Sequence, residues 1–155
     1  MDRSAADAGP HLSGIVTPER RLSALQLVTR LPSMFFLAVA TVTADGRPLV
    51  GPVDGYLIHG SCHFSSGRES VRVRHLRARP AVSATHVAGE ALAVTVHGRA
   101  HVYDFDDPDY PELRQAMLDY YLPRVGPEFE TALNDLDAVA VRIEAQKVFT
   151  FCTDP

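Results

Sequence analysis

The residues best suited to chemistry lie in one run, Ser65-Ser66-Gly67-Arg68-Glu69-Ser70-Val71-Arg72-Val73-Arg74-His75-Leu76-Arg77-Ala78-Arg79-Pro80. A β-rich segment runs into two serines and a glycine, and an arginine-rich helical segment follows and stops at Pro80. Serine hydroxyls, free backbone N–H groups at a helix start and nearby arginines together cradle a phosphate. Helical spacing places Arg68, Arg72 and His75 near one face and turns Val73 and Leu76 toward a core. The plain alternative is a solvated basic face. A nucleic-acid role for the same arginines is excluded by a net charge of -4 and by the lack of interleaved aromatics.

The other chemistry-bearing residues are weaker candidates. His59/His63 and His97/His101 are each four apart, a chelating spacing on a helix. On a strand the same spacing spans about 13 Å, too far for one ion, so no metal site is expected. Haem ligation by a single histidine stays open, and His75 is the one nearest the phosphate cradle. Cys62 and Cys152 form neither a zinc pattern nor a disulfide framework, and read as free thiols in a reducing compartment. There is no Ser/His/Asp order and no Walker-type loop.

The elements that must position the cradle follow from pattern. With 155 residues, 46% apolar and 22% charged, one soluble domain with a real core is expected. No apolar run approaches the roughly 18 residues of a membrane span, and the N-terminus lacks the apolar region of a signal peptide, so a cytoplasmic location and no membrane partner are the expectation. Residues 1–16 read as a flexible tail and 17–155 as the domain. Thr17 is expected to cap a helix with Pro18 at its first position and Leu22, Leu25 and Val28 as its apolar stripe; Pro32 ends it. Strands are expected at 35–43, 48–58 and 62–65, turned at Asp45-Gly46 and His59-Gly60. Pro52 and Gly55 mark a bulge or the approach of a ligand. After the basic helix come strands 81–87 and 91–103, with Leu92, Val94, Val96, Gly98, Ala100 and Val102 inward. Gly98 suits a barrel corner. Asp109 and Glu112 resemble a capping box for a helix through Tyr121, with Leu113, Met117 and Tyr120 buried. A short helix over 128–133 and a last strand over 138–151, carrying Val139, Val141 and Ile143 on one face, complete the chain. Six short strands joined mostly by hairpins predict a mainly β fold, a small antiparallel barrel with peripheral helices.

These pieces, in this order, carry a resemblance. Phe36-Leu37-Ala38-Val39-Ala40-Thr41-Val42, then Asp45-Gly46-Arg47-Pro48, Pro52-Val53, Phe64-Ser65, the helix ending Leu76-Arg77-Ala78-Arg79-Pro80, and Val96-His97-Gly98-Arg99-Ala100 resemble the pyridoxamine 5'-phosphate oxidase-like FMN-binding split-barrel family over residues 18–150. The resemblance implies a six-stranded split β-barrel homodimer that binds flavin in clefts between subunits. Family members use FMN, the deazaflavin coenzyme F-420, or haem.

Carried over residue by residue, the cofactor-binding positions are Gly51, Pro52, Val53, Asp54, Ser65, Ser66, Arg68, Ser70, Val71 and Arg72. The family's Ser-Arg-Lys-like triplet falls on Ser70, Val71 and Arg72, so Val71 lacks a cation that Arg68 is expected to replace. Asp54 and Gly55 stand where many members carry bulky aromatics. Asp54 then reads as a hydrogen-bond acceptor, or as a carboxylate near the ring. The basic residues that grip substrate phosphate in the oxidases proper are absent from 49–58, which argues against vitamin-B6 oxidation. What is implied is an FMN-dependent oxidoreductase acting on a small conjugated substrate. An F-420-dependent reductase and a non-catalytic flavin or haem carrier or sensor are the alternatives, and no catalytic acid or base is singled out.

Overall fold

Alternation of apolar and polar residues decides which way each strand faces. The computed structural model describes residue 4 and residues 9–154. In chain order the elements are α1 (Pro10–Ile15), a 3-10 turn (Pro18–Arg20), α2 (Ala24–Arg30), β1 (Phe35–Val42), β2 (Pro48–Ile58), β3 (Ser61–Gly67), α3 (Val71–Ala78), β4 (Ala81–Ala88), β5 (Leu92–Asp104), α4 (Glu112–Val125), α5 (Glu128–Asn134) and β6 (Ala138–Cys152). The strands close into an antiparallel barrel in the order β1-β2-β3-β6-β5-β4. This is the mainly β, six-stranded architecture expected from the hairpin pattern. Among the described residues no helix is long and apolar enough to cross a membrane.

The hairpins form where the sequence supplies left-handed residues. Gly46 has φ 85°, and the second turn uses His59 (φ 48°) and Gly60 (φ 78°), consecutive positive values that match the twist of paired strands. Inward residues of every strand meet in one core, including Leu37, Val39, Phe64, Val96, Val141 and Ile143. Val73 and Leu76 of α3 enter the same core from one end of the barrel. The outward residues Tyr56, Ala138 and Ala140 form a second cluster with Phe105, Leu113, Met117 and Leu133, so α4 and α5 cover the outer wall of β2, β3 and β6.

Several helix boundaries differ from the sequence reading. Thr17 precedes only the 3-10 turn and makes no side-chain cap. The true cap is Ser23, whose hydroxyl accepts from the Gln26 N–H while the Gln26 side chain accepts from the Ser23 N–H. The helix therefore starts six residues later than expected, and Leu27, not Leu25 or Val28, is its buried residue; Leu25 is 74% exposed. Asp109 does not cap α4: Pro111 stands at that position without a side-chain bond, and the Asp109 N–H donates to Asp107. Pro123 lies inside the last turn of α4, which ends at Gly126 with φ 93°. Of the expected tail, residues 1–3 and 5–8 lie outside the described residues; Pro10–Ile15 form α1, Val16 is buried, and the Ser4 hydroxyl accepts from the Val148 N–H.

His63 lies beneath α4, on the outer face of β3 opposite Tyr56, with its Nδ1 against the Ser61 carbonyl. Burial is the largest influence on its pKa and lowers it from 6.5; Arg142 and His59 lower it further, against the Ser61 bond and Glu112. The folded chain thus binds fewer protons here than the unfolded chain. Neutral His63 contributes its full stability above pH 6.5, and that contribution is lost as pH falls from 6.5 toward the lower folded-state pKa. Urea midpoints measured from pH 7.5 to pH 5 should fall in the wild type and fall less in His63→Gln; an equal fall in both would remove His63 as the cause.

Candidate functional site

The β3–α3 turn holds its shape through serine hydroxyls. Ser70 is the N-cap of α3, its Oγ accepting from the Val73 N–H at 3.2 Å, and Ser66 Oγ lies 3.0 Å from Ser70 Oγ. The N–H groups of Val71 and Arg72, in the first turn of α3, have no backbone or side-chain acceptor among the described residues. Such a pair of amides at a helix start favours an anion. Two tethers fix the helix on the barrel: His75 Nδ1 meets Thr41 Oγ1 at 3.1 Å, and Arg79 Nε donates to the Val42 carbonyl at 3.0 Å.

Arg72 crosses from α3 to β2. Its guanidinium lies so close over Gly51 that a Cβ there would stand 2.7 Å from Nη2. The side chain is half-buried and has no anionic partner among the described residues. Burial alone lowers its pKa, the mark of a cation that has lost water and gained no counter-charge. Gly51, Ser66, Ser70, Val71 and Arg72 are therefore brought to one end of the barrel.

Arg68 behaves differently. It precedes the N-cap and so does not share a helix face with Arg72 and His75, contrary to the spacing argument. Its Nε donates to Asp137 at 2.8 Å, its Nη1 to Asp104 at 2.6 Å and its Nη2 to the Ala138 carbonyl at 3.3 Å. Those bonds, Asp104 first, raise its pKa. Arg68 joins the ends of β3, β5 and β6.

Along β2 the in–out alternation divides the remaining expected site residues. Val53 pairs with Leu37 and packs on the core, whereas Pro52 and Asp54 pair with Ala38 and Phe36 on the outer wall. Ser65 pairs with Ala140 and shares that outward side. Asp54 accepts a hydrogen bond from the Tyr121 hydroxyl of α4. That partner was out of reach of sequence reasoning, since the two are 67 residues apart. The Tyr121 pKa is pushed up to about 12, by burial first and then by the bond to Asp54.

Beside this pair the Tyr56 hydroxyl is buried and has no hydrogen-bond partner among the described residues. Its pKa is raised, mainly by burial and then by Tyr121 and Asp54. Of the histidines singled out for metal or haem, His75 and His97 each spend Nδ1 on a hydroxyl, and His101 Nε2 meets Glu144 at 2.7 Å. No group of three His, Cys, Asp or Glu that could hold a metal occurs among the described residues.

A cavity of about 660 Å³ opens at the other end of the barrel, under α2, and shares no residue with the Gly51–Arg72 group. It is open to solvent on one side, where exposed Val28, Gly60 and Gln146 form its rim. Cys62 lines it, and burial pushes that thiol up to about 11, so it stays protonated and unreactive at neutral pH.

An unpartnered buried hydroxyl carries a desolvation cost without a compensating bond. Tyr56→Phe should accordingly leave the fold intact and raise stability by about 1 kcal/mol in urea unfolding. A loss of that size would show that the hydroxyl has a partner in solution.

Comparison with known proteins agrees with this geometry. No curated protein matches the chain. A conserved hypothetical protein of Mycobacterium tuberculosis has the same fold, with 20% identity, a TM-score of 0.73 and 88% of each chain covered. The haem storage protein HutZ of Vibrio cholerae is similar at 19% identity and a TM-score of 0.61, covering 92% of both chains. A protein described as an F-420 reductase aligns at 18% identity and a TM-score of 0.56, over 88% of this chain and 94% of that one. At these identities the likenesses concern the fold. The profile of the family described as pyridoxamine 5'-phosphate oxidase matches residues 26–152, which include every strand of the barrel and the whole Gly51–Arg72 group, and the chain belongs to that family.

Proposed function

We propose that the chain is a flavin-dependent oxidoreductase that binds FMN by its phosphate at the β3–α3 turn and acts on a small conjugated substrate. The observation that carries this reading is Arg72, a half-buried guanidinium with no anion beside it among the described residues, placed between Gly51 and the unpartnered amides of α3. A phosphate there would meet that guanidinium, the amides of Val71 and Arg72, and the hydroxyls of Ser66 and Ser70. Arg68 is left out of the cradle because Asp104 and Asp137 already hold it. A bound flavin supplies hydride acceptance and donation at its ring. The protein's part is to anchor the tail, exclude water, and present Pro52, Asp54 and the Tyr121 hydroxyl on the outer wall of β2.

The same reading makes the working unit a homodimer. Phe36 and Val50 are 69% and 68% exposed on the neighbouring strands β1 and β2, and Val87 is 60% exposed on β4. Large apolar side chains grouped on adjacent strands mark a surface that pairs. A second copy on that wall would close a cleft beside Asp54. The compartment in this reading is the cytoplasm.

One observation favours a second reading, the deazaflavin coenzyme F-420. With Val71 apolar and Arg68 engaged elsewhere, the cradle offers a single cation. A phosphodiester with one negative charge matches that cradle more closely than a phosphomonoester with two. A relative described as an F-420 reductase shares the fold.

Flavin titration of the purified protein, followed by quenching of cofactor fluorescence, tests both readings. FMN or F-420 should bind at micromolar concentration or below. Arg72→Ala should weaken it by about 1.5–3 kcal/mol, the worth of a charged hydrogen bond. Gly51→Ala should weaken it too with little change in melting temperature, because the added methyl displaces only the tip of a flexible side chain. Arg68→Ala should leave affinity within about threefold. Binding of neither flavin sinks the proposal, and so does equal damage from Arg68→Ala and Arg72→Ala. A haem absorption band in the purified protein, with no flavin bound, would assign the chain to haem carriage instead.

A further inference from the structure

The barrel has two ends, and α3 fills only one of them. We infer that the cavity at the other end, under α2, is a separate binding site for an uncharged apolar molecule that carries one hydrogen-bond donor, an alkylphenol being the model. Its volume of about 660 Å³ lies within the ~300–1,000 Å³ typical of small-molecule pockets, and the mouth of a barrel is a usual place for one. The wall is mostly carbon, with Leu27 and Leu31 from the α2 side and Leu57, Val94 and Val96 from the barrel interior; Ser4, His86 and Gln146 are its polar lining residues, Gln146 at the exposed rim. Among the described residues no Asp, Glu, Lys or Arg lines it, so a charged molecule would enter without a counter-ion from them.

One polar group has a fixed role there. His86 Nδ1 lies 2.9 Å from the Phe36 carbonyl. A carbonyl only accepts, so Nδ1 carries the hydrogen, and in the neutral form of the ring Nε2 is then the acceptor. The ring is held against Phe35, with centroids 5.2 Å apart, and Nε2 has no further partner among the described residues. The Ser4 hydroxyl, also at the cavity, is already engaged with the Val148 N–H. An apolar body of this size with one hydroxyl would fill the space and satisfy His86. A flavin, with its phosphate, would not. The site thus stands or falls independently of the proposed function.

The test uses the intact protein and 1-aminoanthracene as a fluorescent reporter, displaced by 4-butylphenol or by butylbenzene. The reporter should saturate at one per chain. Butylphenol should compete about fivefold better than butylbenzene, the ratio expected of one neutral hydrogen bond. His86→Phe should erase that preference while retaining butylbenzene. Val94→Phe, which fills the cavity, should cut the affinity for all three at least tenfold and leave flavin binding unchanged. Should that variant fail to fold, Leu57→Phe intrudes from the opposite wall and serves the same purpose. No saturable binding overturns the inference, as does a Val94→Phe variant that binds like wild type, because the reporter then sits on the exposed outer wall. A phenol preference that survives His86→Phe overturns the assigned ligand class.

Discussion

The barrel closes through the contact of Gly98 with the Glu144 carbonyl. A Cβ on residue 98 would stand 2.1 Å from that oxygen, and both groups are backbone, so neither can move aside. The approach is this close because the β5–β6 ladder shifts register there: His97 pairs with Lys147 and Gly98 with Ala145, leaving Gln146 as an extra residue. One inserted residue reverses which face a strand buries. Before the bulge β6 buries Val139, Val141 and Ile143; after it β6 turns Val148, Thr150 and Cys152 inward. Without the bulge one half of this 15-residue strand would face its apolar side to water. With it, a single long pairing bends enough to serve as the barrel's seam.

A seam of that kind leaves two ends with different contents. At one end α3 inserts Val73 and Leu76, and its tethers to Thr41 and Val42 place it on β1. Arg72 sits one residue from Val73, so its reach over Gly51 is set by core packing and not by charge. The other end is covered by α2, only seven residues long. Leu22 and Leu27 join Leu92, Val94 and Cys152, and the Leu22 N–H donates to Thr150. That is a small docking area, and it leaves the interior below it unfilled. The anchoring of a cofactor tail needs a rigid end, whereas the admission of a small apolar molecule needs a cover with few contacts, the kind of element that opens at low cost.

Much of this was legible in the sequence, for local reasons. The strands showed because their alternation is a property of neighbours, and the turns because Asp45-Gly46 and His59-Gly60 carry left-handed backbone in their residue types. Gly98 could be flagged as a corner, but Gln146, the bulged residue, has no signature of its own. The helix caps misled. Thr17-Pro18 has the residue types of a helix start but opens only a 3-10 turn, and the helix begins after Ser23, where Leu22 and Leu27 dock. The division of labour between the arginines was invisible, since Arg68 is held by Asp104 and Asp137, 36 and 69 residues away. The cavity was invisible for a different reason. Its apolar lining is chiefly leucines and valines, and in a sequence those cannot be told from core residues that touch one another.

Arg68 and Arg72 also show why a row of arginines says little until each counter-charge is known. Both are long cations on the same turn. Arg68 finds carboxylates and becomes a clasp, exposed enough that water screens most of its gain. Arg72 is drawn over β2, loses part of its hydration, and finds none among the described residues. A desolvated cation without an anion lowers the stability of the end of the barrel that holds it. An anion bound there adds stability through its occupancy, by about 2.7 kcal/mol at a hundredfold excess over its dissociation constant. The strength of the fold at the α3 end and the presence of an anion are therefore linked quantities. Replacing Arg72 by an apolar residue relieves the first while removing the second, so a gain in bare stability with a loss of ligand-dependent stabilisation is the signature that separates a binding arginine from a structural one.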